Sequence, residues 1–163
     1  MAKFQFAPLV GYGTLTVRLG AGTGAANNLS DATERGKFVK LVAGSRYDLA
    51  TVGSDLESWI ESINPATADG YTLGAIADDD ATFIRVTFDG LQGTPGTGTL
   101  AIGDYVVVGT PVAKGTVLTA PARVCKATDQ ALAKSSPFAW RVADLGSVGT
   151  GAVGTTGIIQ RVC

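Results

Sequence analysis

Glycine punctuates this chain and limits what it can build. Most of the 22 glycines fall in three stretches, 11–24, 90–115 and 146–157. A residue without a Cβ weakens the interior of a helix or strand and favours turns and close backbone approaches. The glycines have no fixed period, which argues against collagen, a β-helix or a propeller. Short runs lie between them. Thr14–Leu19 alternates polar and apolar residues, as a half-buried strand does. Lys37–Val42, Tyr71–Ile76, Tyr105–Val108, Val117–Leu118, Arg123–Ala127, Phe138–Leu145 and Gly157–Val162 are further candidates. Asp80–Gly90 is the clearest, with Ile84, Val86 and Phe88 on one face, and Asp89-Gly90 at its end signals a hairpin. Many short strands with frequent turn signals predict a mainly β fold, a small barrel or sandwich.

One segment reads differently. Ser54-Asp-Leu-Glu57 has the form of a capping box, and Leu56, Trp59, Ile60 and Ile63 follow at helical spacing. Asn64-Pro65 would stop such a helix. The pattern predicts one short amphipathic helix over about 54–63, too short to be stable without packing on the sheet or a partner. A weaker helical signal covers Asp129–Lys134. The resulting organisation is a Gly-rich N-terminal arm or first strand over 1–35 and a single β-rich domain over 36–163.

Composition closes off much chemistry. The chain has no histidine, so Ser-His-Asp triads, Cys-His pairs and His-ligated metals are excluded. Cys125 and Cys163 are too few for a disulfide framework, and Cys125 reads as a buried thiol. Asp78-Asp79-Asp80 lacks the spacing of a calcium loop and reads as an exposed turn. Gly20-Ala-Gly-Thr-Gly24 has no helix after it to receive a phosphate. Glu57 and Glu61 form no defensible acid–base pair, and no G-x-S-x-G motif occurs. Neither an enzyme, a cofactor nor a metal site is expected. No apolar run is long enough to cross a membrane as a helix, and the first residues lack the apolar core of a secretory signal.

The net charge of −1 conceals a strong polarity. Between Asp48 and Asp89 there are nine acids and one base, Arg85, whereas both flanks are basic. That pattern suits a solvated acidic segment, or an acidic face meeting a basic one on a neighbour. The basic residues are scattered and not interleaved with aromatics, so no nucleic-acid partner is expected.

The second half has a distinctive cadence. Gly103-Asp-Tyr-Val-Val-Val-Gly109 is followed by Arg123-Val-Cys-Lys-Ala127, Trp140-Arg-Val142 and Gly149-Thr-Gly-Ala-Val-Gly-Thr-Thr-Gly-Ile-Ile159. This resembles the head decoration (capsid cement) proteins of tailed bacteriophages, over roughly residues 70–163. The resemblance implies a non-catalytic β protein, made in the bacterial host cytoplasm, that binds the outer surface of the virion. It also implies a homo-oligomer, often a trimer, that clamps neighbouring copies of the major capsid protein. Low charge and small residues permit the close subunit contacts such a role needs, and open strand edges would accept a neighbour's strand. Phe4, Phe6, Leu9 and Tyr12 are the candidate apolar anchors at the capsid or subunit interface. The same residues read equally as a first strand and loop. Other virion parts (tail, fibre or head-completion proteins) and a carbohydrate- or receptor-binding β module remain alternatives.

Overall fold

The computed structural model describes residues 14–20, 29–64, 72–77 and 83–162. It is mainly β and divides into two compact units. The first comprises 1–49, 57–81 and 112–118, and the second 50–56, 82–111 and 119–163. The chain therefore changes unit at 49/50, 56/57, 81/82, 111/112 and 118/119.

The first unit is a closed five-stranded barrel. Its strands are β1 (Thr14–Leu19), β2 (Phe38–Val42), β3 (Arg46–Leu49), β4 (Ser58–Ile63) and β5 (Thr72–Ala77), with the short helix α1 (Asp31–Glu34) between β1 and β2. The ring runs β1-β3-β2-β4-β5, and β5 closes it on β1. Leu19, Leu29, Val39, Ile60 and Ile76 form the buried core, with Leu15, Val17, Tyr47, Leu49 and Ile63 packed around it. Burying aliphatic chains of this size contributes about 1.5–3 kcal/mol each.

The second unit contains β6 (Phe83–Leu91), β7 (Thr94–Pro95), β8 (Thr99–Leu100), β9 (Tyr105–Val108), β10 (Arg123–Lys126), α2 (Gln130–Ser135), β11 (Trp140–Asp144), β12 (Gly151–Ala152) and β13 (Thr156–Arg161). Strands β6, β10, β9, β11 and β13 also close into a ring. Val86, Phe88, Val106, Val108, Val124, Trp140, Val142 and Ile159 are buried. Asp129 caps α2, its carboxylate accepting from the backbone N–H groups of Ala131 and Leu132.

The two rings have the same topology. With the five ring strands counted in chain order, the first pairs parallel with the third, and every other contact is antiparallel, third to second, second to fourth, fourth to fifth and fifth to first. Even the register agrees. Leu19↔Tyr47 in the first barrel corresponds to Phe88↔Val124 in the second. Val39↔Ser58 corresponds to Val106↔Trp140, and Ile60↔Ile76 to Val142↔Ile159. Both barrels carry a bulge at the same place, Glu61 in β4 and Ala143 in β11. The same residue occupies several equivalent places, among them Val17/Val86, Val39/Val106, Arg46/Arg123, Thr72/Thr155, Gly74/Gly157 and Ile76/Ile159.

The structure corrects several sequence expectations. The helix over about 54–63 is absent. Ser58–Ile63 is strand β4 and 54–57 is irregular. No capping box forms, because Ser54 Oγ bonds Thr51, and the Glu57 carboxylate accepts from Leu41 N. The chain also changes unit at 56/57, inside the expected helix. Val117–Leu118 lies in an irregular loop, not a strand. The hairpin turn after β6 falls at Gln92-Gly93, between the paired Leu91 and Thr94. Asp89-Gly90 stays inside β6, since Gly90 adopts φ +82 where a Cβ would lie 1.9 Å from Thr97 O. Among the described residues the ring strands leave no free edge, and open edges remain only at β7 and in the two-stranded β8–β12 ribbon. Asp78–Asp80 and the N-terminal segment with Phe4, Phe6, Leu9 and Tyr12 lie outside the described residues.

Candidate functional site

Titratable side chains enclosed in each unit hold backbone in place. In the first unit Glu34 and Lys37 are both buried and joined at 2.6 Å. Glu34 Oε1 accepts from Gly115 N at 2.5 Å and from Thr33 Oγ1 at 3.0 Å. Lys37 Nζ donates to Ala113 O at 2.8 Å. A buried pair of this kind is stable only when its remaining polar capacity is met, and here the 112–118 loop meets it. The pair acts as a clip for that loop.

In the second unit the buried carboxylate is Asp89. Its Oδ2 accepts from Thr110 N at 2.7 Å, and its Oδ1 faces Arg123 Nη1 at 3.4 Å. Cys125 Sγ lies 3.8 Å from the same carboxylate and is a free, buried thiol. Burial, followed by the charge and hydrogen bond of Asp89, pushes this thiol up to about 12. It is held protonated at neutral pH, the opposite of what a nucleophilic cysteine requires. The outer face around Cys125 is sealed, since Val107, Cys125, Ala127 and Ala133 of α2 form one apolar cluster. Lys126 pairs with Asp104 at 2.9 Å.

Trp140 is 3% exposed, and its Nε1 donates to Leu56 O at 3.0 Å, as suits a core aromatic. Trp59 is only half-buried, and its indole N–H meets Glu61 on the outer side of β4. Glu57 and Glu61 are thus engaged by different partners, Leu41 N and the Trp59 indole. An open groove of about 410 Å³ lies on the second barrel, lined by Arg85, Asp144, Ser147 and Thr156 among others. The Asp144 carboxylate there accepts from Gly146 N. The described residues contain no group of three or more Cys, Asp or Glu side chains able to hold a metal ion.

What the surface offers instead is apolar side chains at loop tips. Ile102 and Val148 are 66% and 63% exposed. In the β8–β12 ribbon Leu100 pairs with Gly151, so Ile102 follows one strand and Val148 precedes the other at the same end. Leu132 on α2 is exposed as well. Sequence reasoning did not single these residues out, because each is an isolated apolar residue in a turn or short helix. No family model, curated protein or solved structure matches the chain.

Proposed function

We propose that this chain is a structural virion protein that binds the outer surface of a bacteriophage capsid and stabilises it by bridging neighbouring major capsid subunits. It does so as a homo-oligomer, with a trimer favoured, and without catalysis. The observation that carries the reading is the presence of apolar side chains at turns outside a closed barrel, Ile102 and Val148 at one end of the β8–β12 ribbon. Rigid modules with exposed anchors lose little conformational entropy on docking, which favours adhesion to a preformed surface. The Gly/Val/Thr cadence of 103–159 supports the same reading through its resemblance to decoration proteins.

The test is co-sedimentation of the purified chain with expanded phage heads that lack it. Saturable binding to heads, weakened by Ile102→Asp together with Val148→Asp, is expected. Absence from heads, or recovery only with isolated tails, would overturn the proposal.

A further inference from the structure

The outer face of the second barrel carries charges that the fold does not use. Arg85 on β6 pairs with Ile158 on β13, and Ile158 pairs with Asp144 on β11. Val86 and Ile159 are buried in the barrel, so Arg85 and Ile158 beside them point outward. The bulge at Ala143 inserts one residue after the buried Val142 and turns Asp144 to the same outer face. The first barrel has the equivalent row, Thr16, Ala75 and Ser62, without a charge or a large side chain. A closed barrel of this topology therefore forms without an arginine and an aspartate at these places.

The row lies in the open groove of about 410 Å³, which Ser147 and Thr156 line as well. Small-molecule sites span about 300–1,000 Å³. Arg85 is exposed, and its guanidinium makes no hydrogen bond or ion pair among the described residues. The Ser147 and Thr156 hydroxyls are equally unengaged there. Asp144 uses one carboxylate oxygen to accept from Gly146 N, which leaves the second available. Adjacent strands lie about 4.8 Å apart, so about 10 Å of sheet separates the backbones of Arg85 and Asp144, with Ile158 between them. Phe83, also exposed, lies two residues from Arg85 on the same face of β6.

We propose that this groove binds one neutral pyranose unit of a glycan. Simple ions suit it poorly, because Asp144 repels the anion that Arg85 attracts, and Arg85 repels a cation. A sugar ring meets every part at once. Its hydroxyls accept from the Arg85 guanidinium, donate to the available Asp144 oxygen and do either with Ser147 and Thr156. Its C–H face covers Ile158, which is half-buried between the two charges. The Phe83 ring offers a second apolar surface to the next unit of the glycan. The proposal goes beyond capsid binding and does not depend on it.

The experiment uses nitrogen-15 spectra of the full chain, read at the backbone amides of 144–147 and 156–158. The probes are the methyl pyranosides of glucose, galactose and mannose, with acetate and diglycine as charged rivals. The expected result is a saturable shift of these amides with at least one pyranoside, and none of comparable size elsewhere. Arg85→Leu is expected to weaken that binding by about tenfold or more, since a hydrogen bond to a charged group is lost. Asp144→Asn should weaken it too, because the available oxygen becomes a donor while Gly146 N keeps its acceptor. The unfolding midpoint of Arg85→Leu should match that of the parent chain, as the guanidinium holds no other described residue. Unmoved amides with every pyranoside, tighter binding of acetate or diglycine, or pyranoside binding that survives Arg85→Leu would each overturn the proposal. A large fall in the Arg85→Leu midpoint would assign the arginine to the fold and end its binding role.

Discussion

Replacing Gly157 with alanine probes the feature that both barrels share most closely. A Cβ at Gly157 would lie 2.3 Å from Phe88 Cζ and 2.5 Å from Asp144 O. At Gly74 it would lie 2.4 Å from Leu19 Cδ1 and 2.6 Å from Ser62 O. The two sets are equivalent. In each barrel the bulged fourth strand brings a carbonyl over the glycine of the fifth, and the last core residue of the first strand fills the space above it. Alanine would have to displace both neighbours. Pushing a packed side chain aside costs about 1–3 kcal/mol, and moving the carbonyl costs about 1 kcal/mol of weakened hydrogen bonding. A loss of about 2–4 kcal/mol is expected for either variant. For a chain of this length that lowers the melting temperature by roughly 5–15 °C.

Urea unfolding followed by tryptophan emission assigns the loss to a unit. Trp59 lies in the first and Trp140 in the second, so Trp59→Phe and Trp140→Phe backgrounds report each separately. Phe88→Leu combined with Gly157→Ala should recover the side-chain part but not the carbonyl part, giving a coupling energy within the usual 0.5–3 kcal/mol for neighbours. Unchanged midpoints for both glycine variants would refute the packing argument. A loss at one site only would refute the equivalence.

Three further outcomes are expected. Trp140→Ala should cost about 3–5 kcal/mol, and Trp59→Ala clearly less, because Trp59 lies half-buried on the outer side of β4; equal losses in urea titrations would contradict that placement. Asp129→Ala should cost about 1 kcal/mol through the lost α2 cap, a change that denaturation of the variant would miss only if the cap were unmade. Cys125 should resist thiol-labelling reagents near pH 8 until urea opens the fold. Its folded value of about 12 lies above the unfolded 9.0, so its stabilising contribution is full below pH 9 and is lost as pH rises towards 12; rapid native labelling would count against this burial.

Much of the strand set was legible because alternation reports a half-buried face directly. Thr14–Leu19 and Tyr105–Val108 have the expected bounds, and the Asp129–Lys134 signal corresponds to α2. Strand β4 was misread for a physical reason. The bulge at Glu61 inserts one residue, so Ile60 and Ile63, three apart, both pack on the core. Three-residue spacing then imitates a helix. The shared topology of the two barrels was hidden because the connections between equivalent strands differ in length. Equivalent residues are offset by 67 at Val39/Val106 and by 83 at Gly74/Gly157, so no period survives.

Cryo-microscopy of phage heads incubated with the purified chain is the direct check on the proposed capsid role. Density for two five-stranded barrels on the outer face of the head, touching more than one major capsid subunit, is expected. Heads bare of the chain would contradict that role.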